Sequence, residues 1–295
     1  MKRYCFIIAI ILLSLPLYAI AIPPSPAGGN ALDLSGGKQG YYYVEDINNS
    51  FDDKLLKHAF TIEFWFCPAR VTKPGEAWNI IGKMPVYEIG LVYCADCDVF
   101  KKEWLSLRYL LDRAMYRHYN MWDISAKENY EPEWHHFAVQ ASVYDNLEGE
   151  IATLFLDGVS SGLSGSQGGK ILSIDSDEPL CVGGFPTGTK TVIWTGEGQT
   201  VDADIKTFDG LIDELRISNV ARYDSKFPGE IIEVQSRFEP DKYTVALWHF
   251  DEEIGSLQYK DSSGNGHTLF ASGFDNTTSV NQKQMLPVLW GNIRK

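Results

Sequence analysis

A chain of 295 residues, 44% hydrophobic and 13% aromatic, is long enough to bury a large core. Its formal net charge of −13 argues against nucleic acid as a partner, because phosphate recognition needs a clustered basic footprint. An acidic surface favours solubility and is compatible with bound calcium, but by itself it specifies no ligand.

The chain opens Met1-Lys2-Arg3, followed by an apolar run from Phe6 to Leu17 broken only by Ser14 and Pro16. Ala19-Ile20-Ala21 then supplies a small-x-small cleavage pattern, so residues 1–21 read as a secretory signal peptide. The run is too short for a membrane span, which needs about 20 apolar residues, and no later segment of the chain is long and apolar enough. Export to a secreted or cell-surface location is the expectation. Residues 1–21 hold two cations and no acid, so their removal leaves a net charge of −15. Cys5 leaves with them. Cys67, Cys94, Cys97 and Cys181 remain, and an even count in an oxidising compartment suggests disulfides. Cys94 and Cys97 close on each other in one pairing, with Cys67–Cys181 as the longer bridge. A zinc site built from all four is the alternative, and the pairing stays open.

Residues 22–30 are rich in Pro and Gly and read as a linker into a domain over 31–274. Strand-like segments then recur between turn signals. In Phe60–Cys67, Phe60, Ile62, Phe64 and Phe66 point one way, while Thr61, Glu63, Trp65 and Cys67 point the other. Residues 134–141 repeat the pattern, with Phe137 and Val139 on one face. Ile151–Leu156 ends at Asp157-Gly158, a strong hairpin turn pair. Phe208–Ser218 and Tyr243–Phe250 complete the clear strands, and weaker ones cover 78–82, 87–93 and 180–183. Lys102–Tyr119 reads as a strand plus a short helix inside a long insertion, residues 94–133. The Ser/Gly-rich stretch 160–169 reads as a loop, and residues 275–295 as a C-terminal tail.

Several pieces, in this order, resemble the laminin-G-like jelly roll of the concanavalin A-like lectin/glucanase superfamily. They are Ala31-Leu-Asp-Leu34, Phe60–Pro68, Glu133-Trp-His-His-Phe-Ala138, Leu154-Phe-Leu-Asp-Gly158, and Phe208–Ser218 with Asn219–Tyr223. The resemblance implies an all-β fold, a two-sheet antiparallel β-sandwich used mostly for binding and adhesion. It also implies a structural hydrogen-bonding role for His136. One feature departs from it. The strand Ala246-Leu-Trp-His-Phe-Asp-Glu252 and the turn Asp261-Ser-Ser-Gly-Asn-Gly-His267 begin many relatives but close this chain. Either the order is permuted, with Leu247–Phe250 adding to the same sheet, or a second, truncated domain starts here; the first reading is preferred, since too few residues follow for a second sandwich.

Enzyme branches of the fold carry catalytic carboxylates as Glu-x-Asp-x-x-Glu or Glu-x-Asp-x-Glu on one strand, and neither spacing occurs here. Gly-x-Ser-x-Gly is also missing. The expectation is a non-catalytic module that binds a glycan or a cell-surface or extracellular protein. A divergent glycoside hydrolase or lyase of the same fold, or a purely structural surface module, are the alternatives. A structural calcium held by Asp213, Asp261 and Asn265 is a further expectation, because calcium takes oxygen ligands from side chains and turns. A plain Gly-rich turn and a solvent-facing Asp213 compete with it. Sugar sites stack ligands on exposed aromatics. Tyr41-Tyr-Tyr43, Trp78, Trp104, Trp122 and Trp194 are candidates, with Trp122 and Trp194 favoured because they fall in predicted loops.

Overall fold

The structure, a computed structural model, describes residues 22–274 apart from 47–49, 53–54, 56–58, 74–75, 96–102, 112–114, 124–129, 144–149, 162–163, 166–175, 197–198 and 225–226. Residues 1–21, read as a signal peptide, residues 275–295, read as a tail, Cys97 and part of the stretch 160–169 lie outside the described residues.

In chain order the strands are β1 (Leu32–Asp33), β2 (Tyr41–Val44), β3 (Ala59–Pro68), β4 (Ala77–Lys83), β5 (Tyr87–Ala95), β6 (Glu103–Leu111), β7 (Met115–Asp123), β8 (His135–Val143), β9 (Glu150–Leu156) and β10 (Val159–Ser161). They continue as β11 (Ser164–Gly165), β12 (Leu180–Val182), β13 (Lys190–Gly196), β14 (Gln199–Thr207), β15 (Gly210–Ser218), β16 (Pro228–Ile231), β17 (Thr244–Trp248), β18 (Gln258–Tyr259) and β19 (Leu269–Ser272). One sheet runs β1-β15-β3-β8-β9-β10-β16, with β11 on β9 and β17 on β15. The other runs β18-β19-β2-β12-β4-β5-β6-β7, with β14 on β4 and β13 on β14. This is the two-sheet sandwich that the resemblance implies.

The alternation read in the sequence builds the interior. Phe60, Ile62, Phe64 and Phe66 of β3 are buried with Phe137 and Val139 of β8 and Ile212, Leu215 and Ile217 of β15. Tyr42, Trp78, Ile80, Ile89, Leu91 and Val182 of the second sheet share the same core cluster. Rows spaced two residues apart face one way, so two such faces close on a common core. At the β9–β10 hairpin, Asp157 (φ 51°) and Gly158 (φ 78°) both take the left-handed backbone that a two-residue turn of this hand requires.

The C-terminal segment completes the same sandwich. β17 pairs antiparallel with β15, matching Leu215 to Trp248 and Ile217 to Ala246. β19 pairs with β2, and β18 with β19, so residues 244–272 extend both sheets.

Four expectations change. The described residues of 102–119 form strands and no helix: β6 and β7 are an antiparallel pair beside β5. The stretch 160–169 contributes β10 and β11 to the first sheet. The sheets are not wholly antiparallel, since β14 runs parallel to β4 with Ile205 opposite Ala77. Trp122 and Trp194 lie on strands rather than loops, in β7 opposite Leu105 and in β13 opposite Thr200. β14 alternates Val201, Ala203 and Ile205 with polar residues, and β13 carries only the short apolar run Val192-Ile193-Trp194, so neither stands out as a strand. Among the described residues no helix is long and apolar enough to cross a membrane.

Candidate functional site

The Tyr41-Tyr42-Tyr43-Val44 run of β2 alternates across its sheet. Tyr42 and Val44 point into the core. The Tyr42 ring packs 5.0 Å from Tyr259, and its hydroxyl donates to the Ser256 carbonyl at 2.7 Å. Tyr41 and Tyr43 therefore stand on the outer face, half-buried, with ring centroids 6.4 Å apart. Strand β19 brings Phe270 into register with Tyr43, its ring 6.5 Å away and 41% exposed. On the other flank β12 sets Cys181 opposite Tyr43, and Cys181, Phe185, Ile205 and Met84 pack behind the two tyrosines.

These contacts fix a row of three aromatic rings on an outer sheet face, with apolar backing on one side and solvent on the other. Gln258, exposed and in register with Phe270, and the exposed Glu45 supply polar groups at its rim. Burial, then the nearby Glu45 carboxylate and Tyr41, push the Tyr43 phenol up, so it stays protonated and can donate a hydrogen bond. Flat apolar faces rimmed by polar groups suit a ligand that is itself apolar on one face and hydroxylated at its edge. The sequence reading named Tyr41–Tyr43 among the aromatic candidates but missed Phe270. The one available signal was Leu269-Phe270 after the Asn265-Gly266 turn, where alternation puts Leu269 inward and Phe270 outward. Trp78, another candidate, is a core residue, packed 5.9 Å from Phe208. Trp104 and the favoured Trp122 and Trp194 are placed by backbone alone, on β6, β7 and β13.

The residues expected to hold calcium are not assembled as a ligand set. Asp261 Oδ1 accepts from the Leu247 N–H at 3.1 Å and the Ser263 N–H at 2.8 Å. Its Oδ2 accepts from the Ser263 hydroxyl at 2.8 Å and the His267 N–H at 3.0 Å. Asn265 Nδ2 donates to the carbonyls of Thr244 and Val245 at 3.0 and 2.9 Å. Both side chains thus clamp their own turn to β17. Asp213 belongs elsewhere: it accepts from the Ser25 hydroxyl and, at 2.8 Å, from the Glu214 N–H. Among the described residues no group of three or more His, Cys, Asp or Glu is placed to hold a metal ion. The donors present do not fit calcium, since the Asp261 oxygens already accept four hydrogen bonds.

Asp213 is buried rather than facing solvent. It sits at a bulge, where Asp213 opposes Trp65 and Arg216 opposes Glu63, so Glu214 and Leu215 share the space opposite Phe64. Glu214 takes φ 51° there, and its carboxylate receives the Phe238 N–H at 2.7 Å and lies 2.7 Å from His249 Nδ1. Burial, aided by the charge of Glu214 and opposed by the Ser25 hydrogen bond, pushes the Asp213 carboxyl up to about 7.

The bulge belongs to a polar layer on the outer face of the first sheet, roofed by Val220, Tyr223, Phe238 and Glu239. Buried Glu63 pairs with Arg216 at 2.8 and 2.9 Å and accepts from the Tyr223 hydroxyl. The roof returns its own bonds: the Val220 carbonyl accepts from Thr61, the Tyr223 backbone exchanges two bonds with Gln140, and the Glu239 carbonyl accepts from Arg216. His136 is wedged between Trp65 and Phe238, with Nε2 3.6 Å from Glu63. Neither ring nitrogen has a partner at hydrogen-bond distance, so the ring packs here rather than taking the hydrogen-bonding role the resemblance implies.

The expected Cys67–Cys181 bridge is absent: both are free and buried. Cys67 alternates with core residues on β3 and Cys181 alternates with core residues on β12, so they lie on opposite outer faces. A sandwich about 10 Å thick separates them, and a disulfide needs Cα atoms within about 7 Å. Burial, aided by nearby carboxylates, pushes each thiol up to about 12, so both are protonated and unreactive near neutral pH. Cys94 lies on β5, and its expected partner Cys97 is outside the described residues.

No family model matches the chain, and no curated protein matches it. Among solved structures, it is similar to a Bacteroides ovatus protein described as a candidate carbohydrate-binding protein, at 16% identity and a TM-score of 0.44, covering 84% of this chain and 63% of that one. It is also similar to domains LG4-5 of the mouse laminin alpha1 chain, at 18% identity and a TM-score of 0.33, covering 69% and 48%. Botulinum neurotoxin type C, which depends on interaction with two ganglioside molecules to enter cells, matches at 14% identity and a TM-score of 0.32, covering 56% and 33%. The chain spans less than two thirds of each of them. With TM-scores below 0.5, none of them says what this chain binds.

Proposed function

We propose that this chain is an exported, non-catalytic binding module that takes carbohydrate on the outer face of its second sheet. The observation that supports this reading is the row Tyr41, Tyr43 and Phe270, three rings held within 6.5 Å of a neighbour and partly open to solvent. A pyranose ring presents an apolar C–H face to such a row and its hydroxyls to rim groups such as Gln258 and Glu45. Export is the reading of residues 1–21.

A glycan array followed by calorimetry on the best hit tests it. Binding by the wild-type chain, abolished or weakened at least tenfold in Tyr43→Ala and Phe270→Ala with melting temperature retained, is the expected result. Unchanged binding in both variants overturns the site. A glycoside hydrolase or lyase is the second reading, and Asp213, raised to about 7, speaks for it. Its burial beneath Ser25 speaks against it, because a general acid must reach the glycosidic oxygen.

A further inference from the structure

Lys83, the last residue of β4, is fully buried, an unusual place for a lysine. Two buried carboxyl groups face it: Asp46 Oδ2 at 3.4 Å and Asp52 Oδ2 at 3.7 Å. Its close contacts are with neutral groups instead, the main-chain carbonyls of Ser176 at 2.6 Å and of Glu178. An ammonium bonded to carboxylates sits at about 2.7–2.9 Å. Here the nearest carboxyl oxygens stand farther off, at 3.4 and 3.7 Å, with Asp46 the nearer.

A neutral amine has two N–H bonds and one lone pair. The Ser176 and Glu178 carbonyls take the two hydrogens, which leaves the lone pair for the side where Asp46 and Asp52 lie. Asp46 is activated by its own loop. Its Oδ1 accepts the Ser50 N–H at 2.6 Å and its Oδ2 accepts the Phe51 N–H at 3.1 Å. Main-chain donors so placed stabilise negative charge that develops on a carboxyl oxygen under attack.

We propose that Lys83 and Asp46 condense into an intramolecular isopeptide bond, with Asp52 carrying the proton. The lysine ammonium first gives a proton to the Asp46 carboxylate, so a neutral amine faces a neutral acid. The Nζ lone pair attacks Cγ of Asp46, and the resulting oxyanion is held by the loop N–H donors. Asp52 accepts the proton released from Nζ and delivers it to the departing hydroxyl. The Cγ–O bond breaks, the Nζ–Cγ bond is formed, and one water leaves. Ammonium plus carboxylate become amide plus water, so charge balances, Asp52 ends as it began, and no oxidant, reductant or further reactant is needed.

The bond ties β4 to the loop that follows β2, spanning β12, which lies between them in the sheet. It thereby locks the strand that carries Tyr41 and Tyr43.

Mass spectrometry of the purified, reduced full chain tests the proposal. The expected result is a folded protein lighter by one water than its unlinked sequence, with a branched proteolytic peptide joining Lys83 to Asp46. Lys83→Met and Asp46→Ala recover the full mass, and Asp52→Ala slows or abolishes the link. A wild-type chain that is folded by circular dichroism, has its full mass and yields no branched peptide overturns the proposal. A branch at Asp52 overturns the assignment of Asp46. The wild-type measurement decides the matter even if the variants fail to fold.

Discussion

The two outer faces of this sandwich are made by the same alternation and end in opposite states. On the first sheet, the outward residues Thr61, Glu63 and Arg216 are covered by Val220, Tyr223, Phe238 and Glu239 and bonded into a charged network. On the second sheet, the outward Tyr41, Tyr43 and Phe270 have no such roof among the described residues. A roofed polar face must satisfy every group it buries, so its residues hold the fold together. An open aromatic face is free to be satisfied by something else. Substitutions on the first face should therefore be read in stability, and substitutions on the second in binding.

The largest effect is expected at Glu63. Its removal leaves Arg216 buried without its carboxylate, and Glu63→Ala should cost about 3–5 kcal/mol in urea unfolding. A loss below about 1 kcal/mol, the range of exposed pairs, would show that the roof is not a buried ionic layer.

Asp261→Ala comes next. Four hydrogen bonds from the turn and β17 converge on this carboxylate, and stranding those donors should cost about 1–3 kcal/mol. Because those bonds need no metal, the loss should be equal in calcium and in chelator. A calcium-dependent melting temperature that disappears in the variant would restore the metal site.

Asp213 sharpens the comparison through pH. Its folded pKa of about 7 lies above the ordinary aspartate value, so the folded chain holds a proton that the unfolded chain has released. This contribution is fully present below about pH 4 and is lost as pH rises through 7, at up to about 1.4 kcal/mol per pH unit. Asp213→Asn, neutral at every pH, should flatten stability between pH 4 and 7. Glu76 acts in the opposite sense. Burial pushes its carboxyl up, but Arg70, the Lys73 N–H and Lys206 outweigh burial and hold it at about 2. Its stabilisation is present above about pH 4.5 and is lost as pH falls towards 2. A flat wild-type profile between pH 4 and 7 would mean that Asp213 is not buried in solution. The smallest stability change is expected at Tyr43→Ala, where binding is the larger readout.

Much of the fold was legible because strand periodicity is local. The Phe/Ile row of β3, the Phe137/Val139 row of β8 and the Asp157-Gly158 turn all follow from residues a few positions apart. The β13–β14 hairpin and the β6–β7 pair were not, because their alternation is diluted by polar and basic residues. At the candidate site, Tyr41 and Tyr43 were visible as unusual aromatics, whereas Phe270, more than 200 positions away, joins them only through β19 pairing. Asp213 was visible as an acidic residue on a strand, but its burial depends on Ser25 and on the bulge.

Sequence by itself determined which residues face inward, since a strand turns alternate side chains to opposite sides whatever the rest of the chain does. Only the tertiary structure decided what became of the residues facing outward. Covering Glu63, leaving Tyr43 open, and placing Lys83 between Asp46 and Asp52 each require segments distant in the chain to cross one another. No local pattern encodes such crossings, because they are set by how two whole sheets close on a common core.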